Sequence, residues 1–228
     1  MQTDVFSERF PLFAVASPET MGALRSIVVE HEYPANRAVL MEDAWGNAVY
    51  FIESGWVKVR RHSGDKVLTL AILGQGDFFG EMAILDESPR STDVIALSAV
   101  KLLSISAQQF IQTLFNDSQL HHRMLQLMVQ RLRQTNVRFQ LHRQAPAIKL
   151  AHTLVTLAQQ YGASNSVGLQ MLNVPQADLA DVADISVDDT QKIMEKLEDK
   201  KWIKIDPETE SLYLLNERQL AQLARQKK

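Results

Sequence analysis

Glycine is distributed very unevenly along these 228 residues, and that unevenness constrains the fold more than any other feature. Six of the nine glycines (Gly46, Gly55, Gly64, Gly74, Gly76, Gly80) fall between positions 46 and 80, and none lies between 81 and 161. Turn residues recurring at roughly ten-residue spacing, around short runs of Val, Ile, Leu and Phe, predict antiparallel strands. The runs are Arg37–Met41, Ala48–Glu53, Trp56–Arg61, Lys66–Leu73, Thr92–Leu97 and Val100–Ser104. Strand edges must be closed or covered, so a barrel or rolled sandwich is expected over a flat sheet. A short helix, Pro18–Val28, precedes it.

Past this region the period changes. Asn116, Asp117 and Ser118 supply helix-start chemistry, Pro146 supplies the stop, and one long helix is predicted between them. Leu125, Met128, Leu132, Thr135 and Phe139 recur at spacings of 3, 4, 3 and 4, a heptad seam that His121 and His142 extend. Leu120, Met124 and Leu127 form a second apolar face suited to packing on the preceding domain. One face on the domain and one on a second copy predicts a homodimer through the long helix. A further helix (Ala147–Gln160, ended by Gly162), a strand (Leu169–Leu172), two helices joined by a tight turn (Gln176–Val182, Ser186–Asp199), a hairpin (Trp202–Ile205, Leu212–Leu215) and a last helix from about Glu217 complete a winged helix-turn-helix pattern. The expected class is α+β. Residues 1–115 form the β domain, 116–145 the dimerisation helix and 146–228 the winged helix-turn-helix.

Composition removes several function classes. No cysteine is present, which excludes disulfides and thiolate metal sites and fits a reducing cytoplasm. No apolar run approaches the length of a membrane span, so no membrane partner is expected. Met1-Gln2-Thr3-Asp4 carries neither the basic start nor the apolar stretch of a signal peptide. A net charge of −3 gives no global basic footprint, so any DNA contact must be local. No paired carboxylates, metal-spaced histidines or nucleophile motif suggest an enzyme, and no metal or catalytic cofactor is expected. His121 and His122 are adjacent and point to different helix faces.

The stretch from Phe79-Gly80-Glu81-Met82-Ala83 to Pro89-Arg90-Ser91-Thr92 holds what a cyclic phosphodiester and a ribose require. Gly80 permits close backbone approach, and the amides after it, at Glu81, Met82 and Ala83, can donate to phosphate oxygens. Glu81 can accept from a ribose hydroxyl. Arg90 offers a permanently charged planar fork, and Ser91 and Thr92 add hydroxyl donors. Two plain structural roles compete for Arg90: pairing with Glu81, or lying exposed.

This segment resembles the phosphate-binding cassette of the cyclic-nucleotide-binding domain, and the whole chain resembles the cyclic-AMP receptor protein/fumarate–nitrate regulator family of bacterial transcription factors. The resemblance implies an eight-stranded, jelly-roll-like β-roll, a cyclic-AMP-like effector, and base contacts from the long helix at Thr135 and Asn136. Asn136 stands where many relatives have serine, which leaves the base open. The long helix carries Arg123, Arg131, Arg133, Arg138 and Arg143 against one acid, Asp117. Arg131 and Arg138 are candidates for extra phosphate or base contacts, and cyclic di-GMP is the alternative ligand.

The output domain reads two ways. Asp184 replaces the turn glycine and must tolerate a left-handed conformation. Residues 176–199 hold eight acids (Asp178, Asp181, Asp184, Asp188, Asp189, Glu195, Glu198, Asp199) against Lys192 and Lys196. Thr190, Gln191 and Lys192 are the candidate base readers, with Lys200 and Lys201 as phosphate contacts near the wing. The alternative is a helix-turn-helix that acts by binding a second transcription regulator in place of DNA.

Overall fold

The structure, a computed structural model, describes residues 8–226. Met1–Asp4, on which the signal-peptide expectation rests, lie outside the described residues. Contacts divide the chain into two units: residues up to Val67 together with Leu73–Thr135, and Leu68–Ile72 together with the chain from Asn136 onward.

The first unit opens with a 3₁₀ turn, Phe13–Val15, and helix α1, Pro18–Ile27. Ser17 caps α1, its hydroxyl accepting from the Thr20 amide, and Pro18 sits at the first helical position, where its missing N–H is no loss. Eight strands follow, the fifth having its residues Leu68–Ile72 in the second unit: β1 (Val29–Tyr33), β2 (Ala38–Leu40), β3 (Ala48–Ser54), β4 (Val57–Ser63), β5 (Lys66–Leu73), β6 (Phe78–Phe79), β7 (Asp93–Ala96) and β8 (Val100–Ser106). A five-residue helix α2, Glu81–Leu85, separates β6 from β7. The strands form two four-stranded sheets, ordered β1-β8-β3-β6 and β2-β7-β4-β5. This is the expected roll. β1 and β6 were not anticipated; β1 reads Val-Glu-His-Glu-Tyr with mostly polar exposure, and β6 is only two residues long.

Period-two alternation sorts the side chains into two cores. Val49, Phe51, Phe78, Leu103 and Ile105 pack outward against Phe10, Phe13, Leu24, Phe110, Leu120 and Met124. Ile52, Val57, Phe79, Val94, Val100 and Leu102 fill the interior between the sheets, with Tyr50 and Tyr33 packed beside them. The two phenylalanines of β6 therefore face opposite cores, so the residues leading into Gly80 are anchored from both sides.

The expected long helix is present as one element, and a helix with no counterpart in the sequence reading stands before it. Helix α3, Ala107–Asn116, capped by Ser106 with Phe110 and Leu114 buried, precedes helix α4, Ser118–Leu141. Asp117 separates them. Its Oδ1 accepts from the amides of Gln119 and Leu120, both at 3.1 Å, and its Oδ2 accepts from the Ser17 amide at 2.9 Å and the Thr20 hydroxyl at 2.8 Å. One carboxylate thus caps α4 and holds the start of α1.

Along α4, Leu120 and Met124 are buried and Leu127 is partly buried in the outer core, as expected of the domain-facing stripe. Met128, assigned by spacing to the seam, also packs on that core, whereas Val129 is the exposed residue. Leu125, Val129, Leu132 and Phe139 are 55, 48, 60 and 82% exposed.

The second unit contains α5 (Pro146–Tyr161), β9 (Ala163–Ser164), β10 (Leu169–Leu172), α6 (Gln176–Ala183), α7 (Val187–Asp199), β11 (Ile203–Asp206), β12 (Ser211–Leu214) and α8 (Glu217–Ala224). Its sheet runs β11-β12-β10-β9. Asp184 closes α6 in the left-handed region at φ 54°, as the sequence requires, and Ser186 caps α7. Helix-turn-helix plus the β11–β12 hairpin is the expected winged arrangement.

Candidate functional site

Gly80 adopts φ 87°, and a side chain there would come within 2.6 Å of Arg90 Nη1. Glycine is required on both counts: the left-handed conformation, and the space taken by the guanidinium. Arg90 is only 4% exposed. Its Nη1 donates to the Gly80 carbonyl and its Nη2 to the Ala48 carbonyl at 2.7 Å, while Gly46 leaves room on a further side. The Arg90 backbone is pinned as well: its amide donates to Ala44 O and its carbonyl accepts from the Asp43 amide, both at 2.8 Å. Neither plain structural role foreseen for Arg90 holds. It is buried, and among the described residues no carboxylate pairs with it. Burial presses its pKa below the ordinary arginine value, with Tyr50 and Glu81 opposing. Arginine nonetheless remains charged in proteins.

Glu81, 2% exposed, has a different partner. Arg131 of α4 sets Nη1 2.6 Å from Glu81 Oε1, donates through Nη2 to the Phe78 carbonyl, and lies 4.3 Å above the Phe78 ring. Asp77 is 3.7 Å away on the same guanidinium. Burial raises the Glu81 pKa above the usual carboxylate value, and Arg131 works against that shift. The ribose acceptor foreseen from the sequence is therefore already held by one of the two arginines foreseen as extra phosphate contacts. The available signal was spacing: Arg131 lies one helical turn before Thr135.

The remaining cassette positions divide by exposure. Ala83 is buried, Met82 and Ser91 are exposed, and Thr92 is partly buried. Thr135 and Asn136 are both exposed on α4, with the Thr135 hydroxyl donating back to Arg131 O at 3.1 Å. Arg138 donates to Val182 O at 2.9 Å and is engaged with protein carbonyls.

In the second unit, Thr190 is fully buried and its hydroxyl donates to Ser186 O at 3.0 Å. It belongs to the packing of the helix pair and is not placed to read a base, which corrects the expectation from spacing alone. Gln191 and Lys192 are exposed, and so are Lys200 and Lys201. Lys200 sits 5.0 Å from the Trp202 ring centroid. Several of the acids have structural work. Asp189 completes a capping arrangement with Ser186, donating its amide to the serine Oγ and accepting from it at 2.8 Å. Asp184 pairs with Lys149 at 2.9 Å and His142 at 2.7 Å, which holds its carboxyl below the usual value. Glu198 accepts from the Ile205 amide at 3.1 Å. Among the described residues no group of three or more metal-binding side chains occurs, and no helix is long and apolar enough to cross a membrane.

A β-roll that buries an arginine without a carboxylate partner, with a winged helix-turn-helix in the same chain, defines a sensor-type transcription regulator. The profile described as cyclic nucleotide-binding domain matches residues 30–117. The cyclic AMP receptor protein of Thermus thermophilus is 27% identical over 202 residues, covering 87% of this chain and 90% of that protein. The CRP-like cAMP-activated global transcriptional regulator of Mycobacterium tuberculosis is 25% identical over 226 residues, covering 97% of this chain and all of that one. FixK2 from Bradyrhizobium japonicum shares the fold with a TM-score of 0.75 at 16% identity, over 89% of this chain and 100% of its own. Residues 30–117 match the cyclic nucleotide-binding domain, and over most of its length the chain is similar to transcription regulators of the cyclic-AMP receptor protein type.

Proposed function

We propose that this protein is a transcription regulator whose DNA binding is set by a cyclic nucleotide held in the β-roll. The observation that carries the reading is Arg90. A buried cation satisfied only by carbonyl dipoles lacks the counter-charge that buried ions normally need, and an anionic ligand supplies it. Two of the five guanidinium N–H groups are used, so others remain for a phosphate oxygen. Glu81 and Arg131 then face the sugar side of the same ligand, and Thr135 and Asn136 are the candidates for the base. A cyclic-AMP-like mononucleotide fits this set better than a cyclic dinucleotide, because Arg131 and Arg138 are both committed to protein acceptors.

The exposed stripe of α4 is assigned to a second copy of this chain, and the ligand shifts the population of dimer states that present the two winged helices. DNA is met by Gln191 and Lys192 of α7 and by Lys200 and Lys201 beside the wing. No catalytic role is assigned to any residue.

Calorimetric titration with cyclic AMP, cyclic GMP and cyclic di-GMP, on the native chain and on Arg90→Ala, tests this. Micromolar or tighter binding of one ligand is expected, weakened in the variant by about 2–5 kcal/mol. Absence of binding by all three would overturn the reading.

A further inference from the structure

The inner face of β3 runs from the cassette into the roll interior. Ala48, whose carbonyl holds Arg90, is followed two residues on by Tyr50 on the same face, a step of about 7 Å. Tyr50 is fixed in place from two sides. Its ring stacks on Phe79, centroids 5.5 Å apart and planes within 8°, and His31 lies against its other neighbourhood at 5.8 Å. His31 is in turn held by Ser104 at 2.8 Å, and Ser104 is the residue directly opposite Tyr50 in the β3–β8 ladder. The phenyl ring of the Phe-Gly-Glu turn is thus the platform for this tyrosine.

Its hydroxyl makes no hydrogen bond among the described residues, although the ring is partly buried. The hydroxyl is not enclosed, since Gln144 Oε1 is the one buried side-chain polar atom without a partner among the described residues, and it is open to a ligand. Tyr50 and Glu81 are the ionisable groups near enough to Arg90 to act on it electrostatically. Burial raises the Tyr50 pKa, with Tyr33 adding and Arg90 opposing, so the phenol is a proton donor at neutral pH.

Resting on the reading that a cyclic nucleotide occupies the roll, we propose that Tyr50 is a ligand-binding residue that donates to one exocyclic phosphate oxygen while Arg90 holds the other. The site then grips the phosphate from two strands, β3 and the segment leading into β7, and senses its stereochemistry.

The experiment is calorimetric titration of the native chain, Tyr50→Phe, Arg90→Ala and the double variant with whichever of cyclic AMP and cyclic GMP binds more tightly, and with its two phosphorothioate diastereomers. Phenylalanine keeps the stack on Phe79, and an unchanged melting temperature will show that it does. Tyr50→Phe is expected to weaken binding about ten- to 150-fold, the size of one hydrogen bond to a charged acceptor. It is also expected to reduce the native chain's preference between the diastereomers, since only the hydroxyl distinguishes the second oxygen. If Arg90→Ala loses binding while Tyr50→Phe binds like the native chain, Tyr50 is only wall and this proposal alone is overturned. The same holds if affinity falls with diastereomer preference intact. If the native chain binds neither nucleotide, this proposal falls, and the reading beneath it falls as well if cyclic di-GMP also fails to bind.

Discussion

Arg131 and Glu81, fifty residues apart in the chain, meet at 2.6 Å, so the long helix holds the buried carboxylate of the cassette directly. The carboxylate is almost fully buried, while the arginine side chain is about one-third exposed at 31%. Removing the arginine leaves Glu81 without its counter-ion in a site where burial already raises its pKa. Arg131→Met is expected to lower stability by about 2–3 kcal/mol, below the value for a fully buried pair because solvent reaches the arginine. The sign with pH follows from the raised value: the protonated form is favoured in the folded state, so the loss is smallest below the ordinary carboxylate pKa and grows as pH rises through the folded one. Thermal unfolding of Arg131→Met and of Arg131→Met with Glu81→Gln measures it. The double variant should recover most of the loss, and no recovery would mean that Arg131 acts through its packing on Phe78.

Gly80→Ala brings a methyl group within 2.6 Å of Arg90 Nη1 and places a side chain at φ 87°. The conformation alone costs about 1–2 kcal/mol, and the guanidinium must also leave its carbonyl cradle. Lower stability and weaker cyclic-nucleotide binding are expected together. Gly64, also at positive φ but with open space around it, provides the control: Gly64→Ala should lose stability only.

The exposed stripe on α4 predicts an oligomeric state. Leu132→Glu with Leu125→Glu puts charges into a seam that would otherwise be apolar, and sedimentation should show monomers where the native chain shows dimers. Neither side chain is buried in the single chain, so circular dichroism should be unchanged. Dimers persisting in the variant would move the interface elsewhere.

Asp117 and Asp93 both hold pKa values below the ordinary aspartate value; burial opposes the shift in each, and hydrogen bonds to the carboxylate outweigh it. Each therefore contributes stability above the unfolded pKa that is lost as pH falls through the folded one, a window below about pH 4. Asp117→Ala, which removes four hydrogen bonds and a helix cap, should cost about 2–4 kcal/mol at neutral pH. It should also flatten the acid limb of a melting-temperature profile taken from pH 7 to pH 2. An unchanged limb would mean that Asp117 titrates normally.

Lys200 and Lys201 make a separate prediction for DNA. If both neutralise phosphates in each protomer of the dimer, Lys200→Ala with Lys201→Ala should lower the slope of log affinity against log salt by about 3.6. Base preference should stay as it is, because Gln191 and Lys192 are untouched.

Much of this protein follows from patterns a few residues long. Turn glycines at strand spacing, Ser17, Ser106 and Ser186 before their helices, and Asp184 at a turn that needs a left-handed residue are local demands met by local chemistry. So are the positions of Gly80 and Arg90, because close approach and permanent charge are properties of single residue types. Helix α3 is harder to read, because its buried residues, Phe110 and Leu114, form a stripe too short to stand apart from the strand before it.

What the chain settled by itself was the order of elements and the kinds of group brought to the cassette. Tertiary structure alone decided who meets whom. Met128 and Val129 are adjacent and both apolar, and only packing against Phe110 and its neighbours sends one inward and leaves the other exposed. Thr190 had the right spacing for a base reader but is buried against Ser186. Glu81 could have paired with Arg90, nine residues away, and instead took Arg131, fifty away, because Gly80 and Ala48 offered Arg90 two carbonyls first. Side-chain periodicity is imposed by the local backbone geometry, whereas a choice between equally charged partners depends on distances that exist only after the sheets and the long helix have packed.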